Sequence, residues 1–430
     1  MSDAIKEARE QAEARGLSEP RPVHHRRDTC RACEARDLVP VLSLGPQPLA
    51  NAFLPDLGAA ATERRFPLDL VVCAGCGLVQ LVDVIDPTVL FDHYLYVTGT
   101  SETMARHNAA YARDVIERLK LSARDLVVEV ASNDGSLLRC FQTGGIRTLG
   151  IEPARNIAEQ ARGRGIETIN RYFNAATAAD VRASAGPARA VLANNVLAHV
   201  DDPADFLAGA GALLSDDGFV IVEVPYAGEM LRKLEYDTIY HEHLCYFALG
   251  PLGRLATRAG LRLERVEHVS VHGGSIRVWF GRDGSHHPDV EAAMAAEAAE
   301  GITSIDAWRD FGTSAQRHAK ELRALLESLK GTGATLAAYG APAKGNTLLN
   351  FAGIGTDLLP FTVDRNPLKV GTFTPGTHLP VRPVDALAAY RPDYVCILAW
   401  NFADEIMRQQ ASHTERGGRW VVPIPGPRVV

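Results

Sequence analysis

The sequence predicts an α/β protein: a doubly wound parallel sheet, with a small metal-stapled module before it and a second α/β unit after it. Three observations carry that prediction. Apolar runs alternate with helical segments from residue 126 to about 225, and again from about 335 to 399, the pattern of strands joined by crossover helices. Two Cys-x-x-Cys pairs, Cys30/Cys33 and Cys73/Cys76, flank a stretch with no other cysteine. A length of 430 residues exceeds one ordinary core and calls for several domains.

The chain begins with a tail, residues 1–22, rich in Glu, Arg and Ala and without an apolar centre. Such a tail is neither a signal peptide nor a membrane anchor. No stretch reaches the roughly 20 apolar residues of a membrane span. Hydrophobic content of 46%, charged content of 23% and a formal net charge of -7 describe an ordinary globular chain and argue against a general nucleic-acid binder. Seven cysteines, four of them in paired motifs, fit a reducing, cytoplasmic setting.

Residues 23–90 form the first module. Four thiolates from Cys30, Cys33, Cys73 and Cys76 can occupy the corners of one tetrahedron, the closed geometry of structural zinc. Disulfides or buried free thiols are the alternatives. The spacer between the pairs is longer than in a compact zinc ribbon.

The second region, residues 91–285, opens on FDHYLYVTGTSETM (91–104), unusually aromatic and hydroxyl-rich for a connector. An amphipathic helix over 105–120 leads into a strand at 126–130, with further strands at 148–152, 190–193 and 219–224. The first strand runs into a small-residue turn, EVASNDGSLL (129–138). Backbone amides and a helix N-terminus there can approach a polar ligand closely. Ala131 and Asn133 stand where a dinucleotide fingerprint needs glycine. Glu152 follows about 20 residues later, where a carboxylate can accept from both hydroxyls of a ribose. Ser132, Asn133, Asp134, Gly135 and Glu152 are the candidate cofactor contacts, and with Glu129 and Asn195 the set resembles that of class I S-adenosylmethionine methyltransferases. An unliganded βα turn capped by Ser or Asp is the plainer reading.

The densest set of ionisable groups follows the strand at 219–224. Tyr240, His241, Glu242 and His243 are consecutive, and His199 lies upstream. An imidazole can take a proton, a phenol can donate to an oxyanion, and a carboxylate can orient the imidazole. Chance surface histidines and a metal-binding His-x-His are competing readings, but no HExxH accompanies them.

Residues 286–430 begin with a long helical stretch, 289–330, interrupted at Gly301 and Gly312. Strands follow at 335–339, 359–363 and 394–399. The turn Gly340–Gly345 opens a helix and offers a cradle for a diphosphate, with Lys344 as countercharge. It lacks the spacing and the Ser/Thr of a P-loop.

Seven ordered motifs carry a family resemblance over nearly the whole chain: CRAC (30–33), CAGCGLVQ (73–80), EVASNDGSLL (129–138), ANNVLAHV (193–200), YHEH (240–243), VHGGSIRV (271–278) and YGAPAKGNTLLN (339–350). The chain resembles the sugar C-methyltransferases that act on nucleotide-linked 4-keto-deoxyhexoses in antibiotic pathways. The resemblance implies an N-terminal zinc domain, a central class I methyltransferase domain binding S-adenosylmethionine (SAM), and a C-terminal Rossmann-like domain, with substrate held between the last two. It implies His243 as the base that removes the proton beside the ketone. Tyr240, helped by Glu242 or His199, would steady the oxyanion, and the enolate carbon would attack the sulfonium methyl. Tyr96, Lys344 and Asn346 are the expected substrate contacts. His241 stands at an unspecified place of the motif. The methylated carbon, C3 or C5, and the nucleotide, with TDP foremost, stay open, and the oligomeric state is compatible with a monomer. An O- or N-methyltransferase is the rival enzyme, and an inactive zinc-bearing scaffold is the rival of another class.

Overall fold

The computed structural model describes residues 22–92, 102–269, 274–282 and 287–430. Its central sheet has seven strands. Thr168–Ile169, Arg147–Ile151, Leu126–Val130, Ala188–Asn194 and Leu214–Pro225 lie side by side and parallel. Ser275–Gly281 and then Arg262–Val269 complete the sheet antiparallel. Every residue of Leu126–Val130 is buried, the mark of a strand covered on both faces. The strand order reverses between Leu126–Val130 and Ala188–Asn194, opening a crevice at their carboxyl ends. Register places Asn194 beside Glu223 at that edge.

The N-terminal module is a four-stranded antiparallel sheet of Leu38–Ser43, Asp69–Cys73, Val79–Leu81 and Cys245–Tyr246. The last strand comes from the middle region, so the module is completed by chain that follows the central strands. The C-terminal sheet runs Val381–Arg382, Thr362–Val363, Leu336–Tyr339, Tyr394–Ile397 and Arg419–Val422 in parallel, with Arg428–Val429 antiparallel at the edge. Its own reversal of order lies between Leu336–Tyr339 and Tyr394–Ile397.

One apolar core runs through all three regions: Leu42, Leu70, Val128, Val222, Leu322 and Leu348 belong to the same buried cluster. Helix Pro288–Glu300 packs on Arg262–Val269, the edge strand of the central sheet. Its buried Glu297 accepts from the Leu249 N–H at 2.9 Å, capping the helix Leu249–Arg258. Helix Ile305–Gly331 crosses the module strand Leu38–Ser43. Helices that follow residue 287 therefore pack on both the central sheet and the N-terminal module.

Three elements differ from expectation. Gly301 (φ +66°) ends the first C-terminal helix as read, but Gly312 does not interrupt the second. A Cβ there would lie 2.2 Å from the Val41 carbonyl oxygen, so this glycine permits a close approach instead of breaking a helix. The run 359–363 enters the ladder only at Thr362. Leu358 and Leu359 turn back onto the Gly355 carbonyl and bury their side chains in the core. The strand before Glu152 ends at Ile151, which leaves Glu152 in the loop with its side chain over the first turn.

Candidate active site

A cavity of about 910 Å³ lies where the three regions meet. The module contributes Asn51, Ile85 and Leu90. The central sheet contributes its carboxyl-end loops, and the C-terminal unit contributes Ala343, Lys344, Lys369 and Phe402.

Ala131 to Ser136 form the floor on one side. Ala131 (φ +55°) and Asn133 (φ +49°) hold left-handed backbone in the tight turn, and Gly135 (φ +74°) precedes the helix Ser136–Thr143. A Cβ on Gly135 would meet Ile166 at 2.6 Å, so glycine is required there. Glu152 accepts from the Asn133 N–H at 2.9 Å and the Ala154 N–H at 2.8 Å. Burial pushes its carboxyl up to about 7, against the pull of those two amides. Asp134 accepts from the Ser136 N–H at 3.2 Å at the start of the helix and from the Ser136 hydroxyl at 2.5 Å, and pairs with Arg164. Glu129 lies beneath the turn, outside the cavity lining. Burial, with the charges of Asp134 and Glu152, holds its carboxyl well above the usual range. Among the described residues Glu129 Oε2, Ser132 Oγ and Asn194 Oδ1 are buried with no hydrogen-bond partner. Asn195, at φ +53°, lines the cavity on the far side of the crevice.

The Tyr240–His243 segment reaches the same cavity. His243 Nδ1 donates to the Thr238 carbonyl at 2.8 Å. That bond fixes the tautomer and leaves the Nε2 lone pair to accept the Tyr240 hydroxyl at 2.9 Å. His199 stands edge-on to His243, ring centroids 4.8 Å apart. Burial lowers its pKa to about 4, so it is a neutral imidazole at neutral pH. Glu242 does not line the cavity. Its Oε1 accepts from the Asn51 amide at 2.7 Å, tying the module to the loop. His241 donates from Nε2 to the Pro67 carbonyl at 3.0 Å and braces the same junction. The loop itself is clamped by backbone bonds: Leu244 N–H to Ala198 O at 2.7 Å, and Leu81 N–H to Leu244 O at 3.0 Å.

At the other end, Lys344 lies 3.7 Å from Glu235 and 5.2 Å from the Trp400 ring centre. Asn346 is buried away from the cavity, its amide donating to the Ala50 carbonyl at 2.8 Å. It joins the C-terminal helix to the module. Tyr96 lies outside the described residues. Lys369, Glu223 and His107 line the cavity without having stood out in the sequence. Lys369 donates to the Ala341 carbonyl at 2.8 Å, and burial lowers its pKa. Each of the three sits alone in its segment, so no local motif marks it.

The four motif cysteines meet as expected. Cys30 and Cys76 sulfurs are 3.5 Å apart, as are those of Cys33 and Cys73, and all four lie within 4.8 Å of one another. A zinc ion with bonds of about 2.3 Å requires sulfurs about 3.8 Å apart at tetrahedral corners. Two matching knuckles present them, with Glu34 (φ +64°) and Gly77 (φ +75°) turning the chain after each second cysteine.

Three family models match the chain: a zinc-binding domain over residues 30–91, a methyltransferase domain over 104–266 and a C-methyltransferase C-terminal domain over 270–425. The chain is 40% identical over 406 residues to the C-methyltransferase NovU of Streptomyces niveus, a match spanning 94% of this chain and 97% of that one. The chain belongs to this C-methyltransferase family. Solved structures with similar folds include the CcbJ methyltransferase of Streptomyces caelestis, at 16% identity over 46% of this chain and 100% of its own, TM-score 0.36. Another is the SAM-bound magnesium protoporphyrin IX methyltransferase of Synechocystis PCC 6803, at 12% identity over 42% and 82%, TM-score 0.32.

As a C-methyltransferase the protein uses SAM, and the turn at 131–136 fits that cofactor. Glu152 can accept from ribose hydroxyls, and the unpartnered acceptors of Ser132 and Asn194 await donors. The four-cysteine cluster fits zinc in a closed, structural site. No helix among the described residues is long and apolar enough to cross a membrane.

Proposed function

We propose that this C-methyltransferase acts on a 4-keto-deoxyhexose carried by a nucleoside diphosphate, TDP foremost, and methylates a carbon beside the ketone. One observation carries the reading: a single cavity joins the cofactor turn, the Tyr240–His243 pair and the two lysines Lys344 and Lys369. A ketone acidifies the hydrogen on the neighbouring carbon. His243 Nε2, the ring nitrogen kept basic by the Thr238 bond, receives that proton in a unit with the Tyr240 hydroxyl. His199 packs edge-on to His243 and, being neutral, sets no opposing positive charge beside it. Glu242 serves the site by holding Asn51 at the wall. SAM, bound over the 131–136 turn, supplies the electrophilic methyl group. Lys344 and Lys369 stand at the start of the helix Ala343–Ala352, where a diphosphate would find two ammonium groups and the positive end of the helix.

The test is intact-mass analysis after incubation with SAM and a panel of 4-keto-6-deoxy nucleotide sugars. Gain of one methyl on carbon in any member is the expected result. SAM binding with no sugar methylated would discard the substrate class.

A further inference from the structure

The chemistry just proposed needs a donor for the enolate oxygen, and the Tyr240 hydroxyl is committed to His243 at 2.9 Å. The cavity wall also holds an imidazole–carboxylate pair without a role so far. His107, on the helix Glu102–Leu119, places Nε2 3.1 and 3.2 Å from the two carboxylate oxygens of Glu223. Glu223 is 1% exposed and sits near the carboxyl end of Leu214–Pro225. Arg277 grips its Oε2 from the neighbouring strand at 2.8 and 3.2 Å, and lies 3.6 Å from the Tyr111 ring centre. A carboxylate held this way cannot swing toward a substrate; what it does is fix the imidazole. His107 Nδ1 makes no hydrogen bond among the described residues, and the residue lines the cavity. The charges around it are balanced: Arg277 is 3.5 Å from Nε2, and Glu223 and Glu267 offset it.

We infer that His107 is a catalytic residue, donating from Nδ1 to the ketone oxygen as it becomes an enolate, and that Glu223 is its positioning residue. The inference rests on the ketone substrate proposed above. His243 takes the proton, the C–H electron pair becomes the new C=C bond, and the carbonyl π pair moves onto oxygen. That step requires a proton on each ring nitrogen of His107, Nε2–H donating to Glu223 and Nδ1–H to the oxygen. When the carbon takes the methyl group, the pair returns to re-form the ketone and His107 retains its proton.

The experiment is deuterium uptake at the α-carbon in D2O, followed by NMR without SAM, with SAM affinity measured separately by calorimetry. The substrate is the 4-keto-6-deoxy nucleotide sugar that the wild type methylates. His107→Gln is expected to slow exchange about 100-fold, the effect of losing one oxyanion donor, with SAM affinity within about twofold of wild type, since no cofactor contact is lost. Glu223→Gln is expected to slow it similarly, and Glu223→Asp to recover most of the rate. Wild-type exchange in His107→Gln would overturn the inference, as would a tenfold loss of SAM affinity with exchange intact, which would make His107 a cofactor contact. Failure of the wild type itself to exchange or methylate any sugar would instead remove the substrate reading, and this inference with it.

Discussion

His243 and Tyr240 share one proton across 2.9 Å, and the direction of that sharing is set by a third group, the Thr238 carbonyl on the far side of the imidazole. Because Nδ1 must donate, Nε2 must accept. His243→Asn is therefore expected to lower kcat by about 1000-fold, within the range for a lost general base, while SAM affinity stays near wild type. Tyr240→Phe keeps the base but loses the hydroxyl, and a drop of about 100-fold is expected. Calorimetric loss of SAM binding in either variant would remove the role assigned to it.

Glu152 gives a pH signature. Its folded pKa of about 7 is raised above the ordinary 4.5 by burial, so the native state holds this proton more tightly than the unfolded chain. The associated stability is present below pH 4.5 and is lost as pH rises through 7. Ribose hydroxyls favour the ionised form, so SAM binding should release a proton near pH 7. Calorimetry in buffers of different ionisation enthalpy checks this, and Glu152→Gln should abolish the release.

Lys369 is expected to bind substrate and not cofactor. Lys369→Met keeps the stem and removes the charge, raising KM for the nucleotide sugar about tenfold or more, as for a lost charge-assisted hydrogen bond. An unchanged KM would show that the ammonium serves only the Ala341 carbonyl.

The zinc cluster is expected to be structural. Cys73→Ser leaves three thiolates around a site whose closure supports folding. Loss of soluble protein, with less than one zinc per chain by elemental analysis, is the expected outcome. Fully soluble, zinc-loaded variant would contradict it.

Gly312→Val tests the docking of the C-terminal helix on the module. Its Cβ would fall 2.2 Å from the Val41 carbonyl oxygen, and overpacking of this kind costs about 1 to 3 kcal/mol. A thermal melt should move down by several degrees.

Much of this protein is local, and local features were legible. Cysteine spacing announced the zinc knuckles because two residues between thiols make a turn wherever they occur. The alternation of apolar runs and helices announced parallel sheets, and the ionisable cluster at 240–243 pointed to a segment that lines the cavity with Tyr240 and His243. What the chain could not show from sequence depends on side chains meeting from distant segments. Glu242 and Asn346 carry the right chemistry, yet both turn to brace the module, at Asn51 and Ala50. Gly312 looked like a helix breaker because its partner, Val41, lies far away in sequence. His107 and Glu223 are separated by 116 residues and meet only when a helix crosses the sheet edge. Periodicity and motif determined the elements and the family of chemistry by themselves. Which carboxylates and imidazoles face one cavity was decided by the packing of three regions around a shared core, since burial and tautomer are properties of neighbours and not of residues.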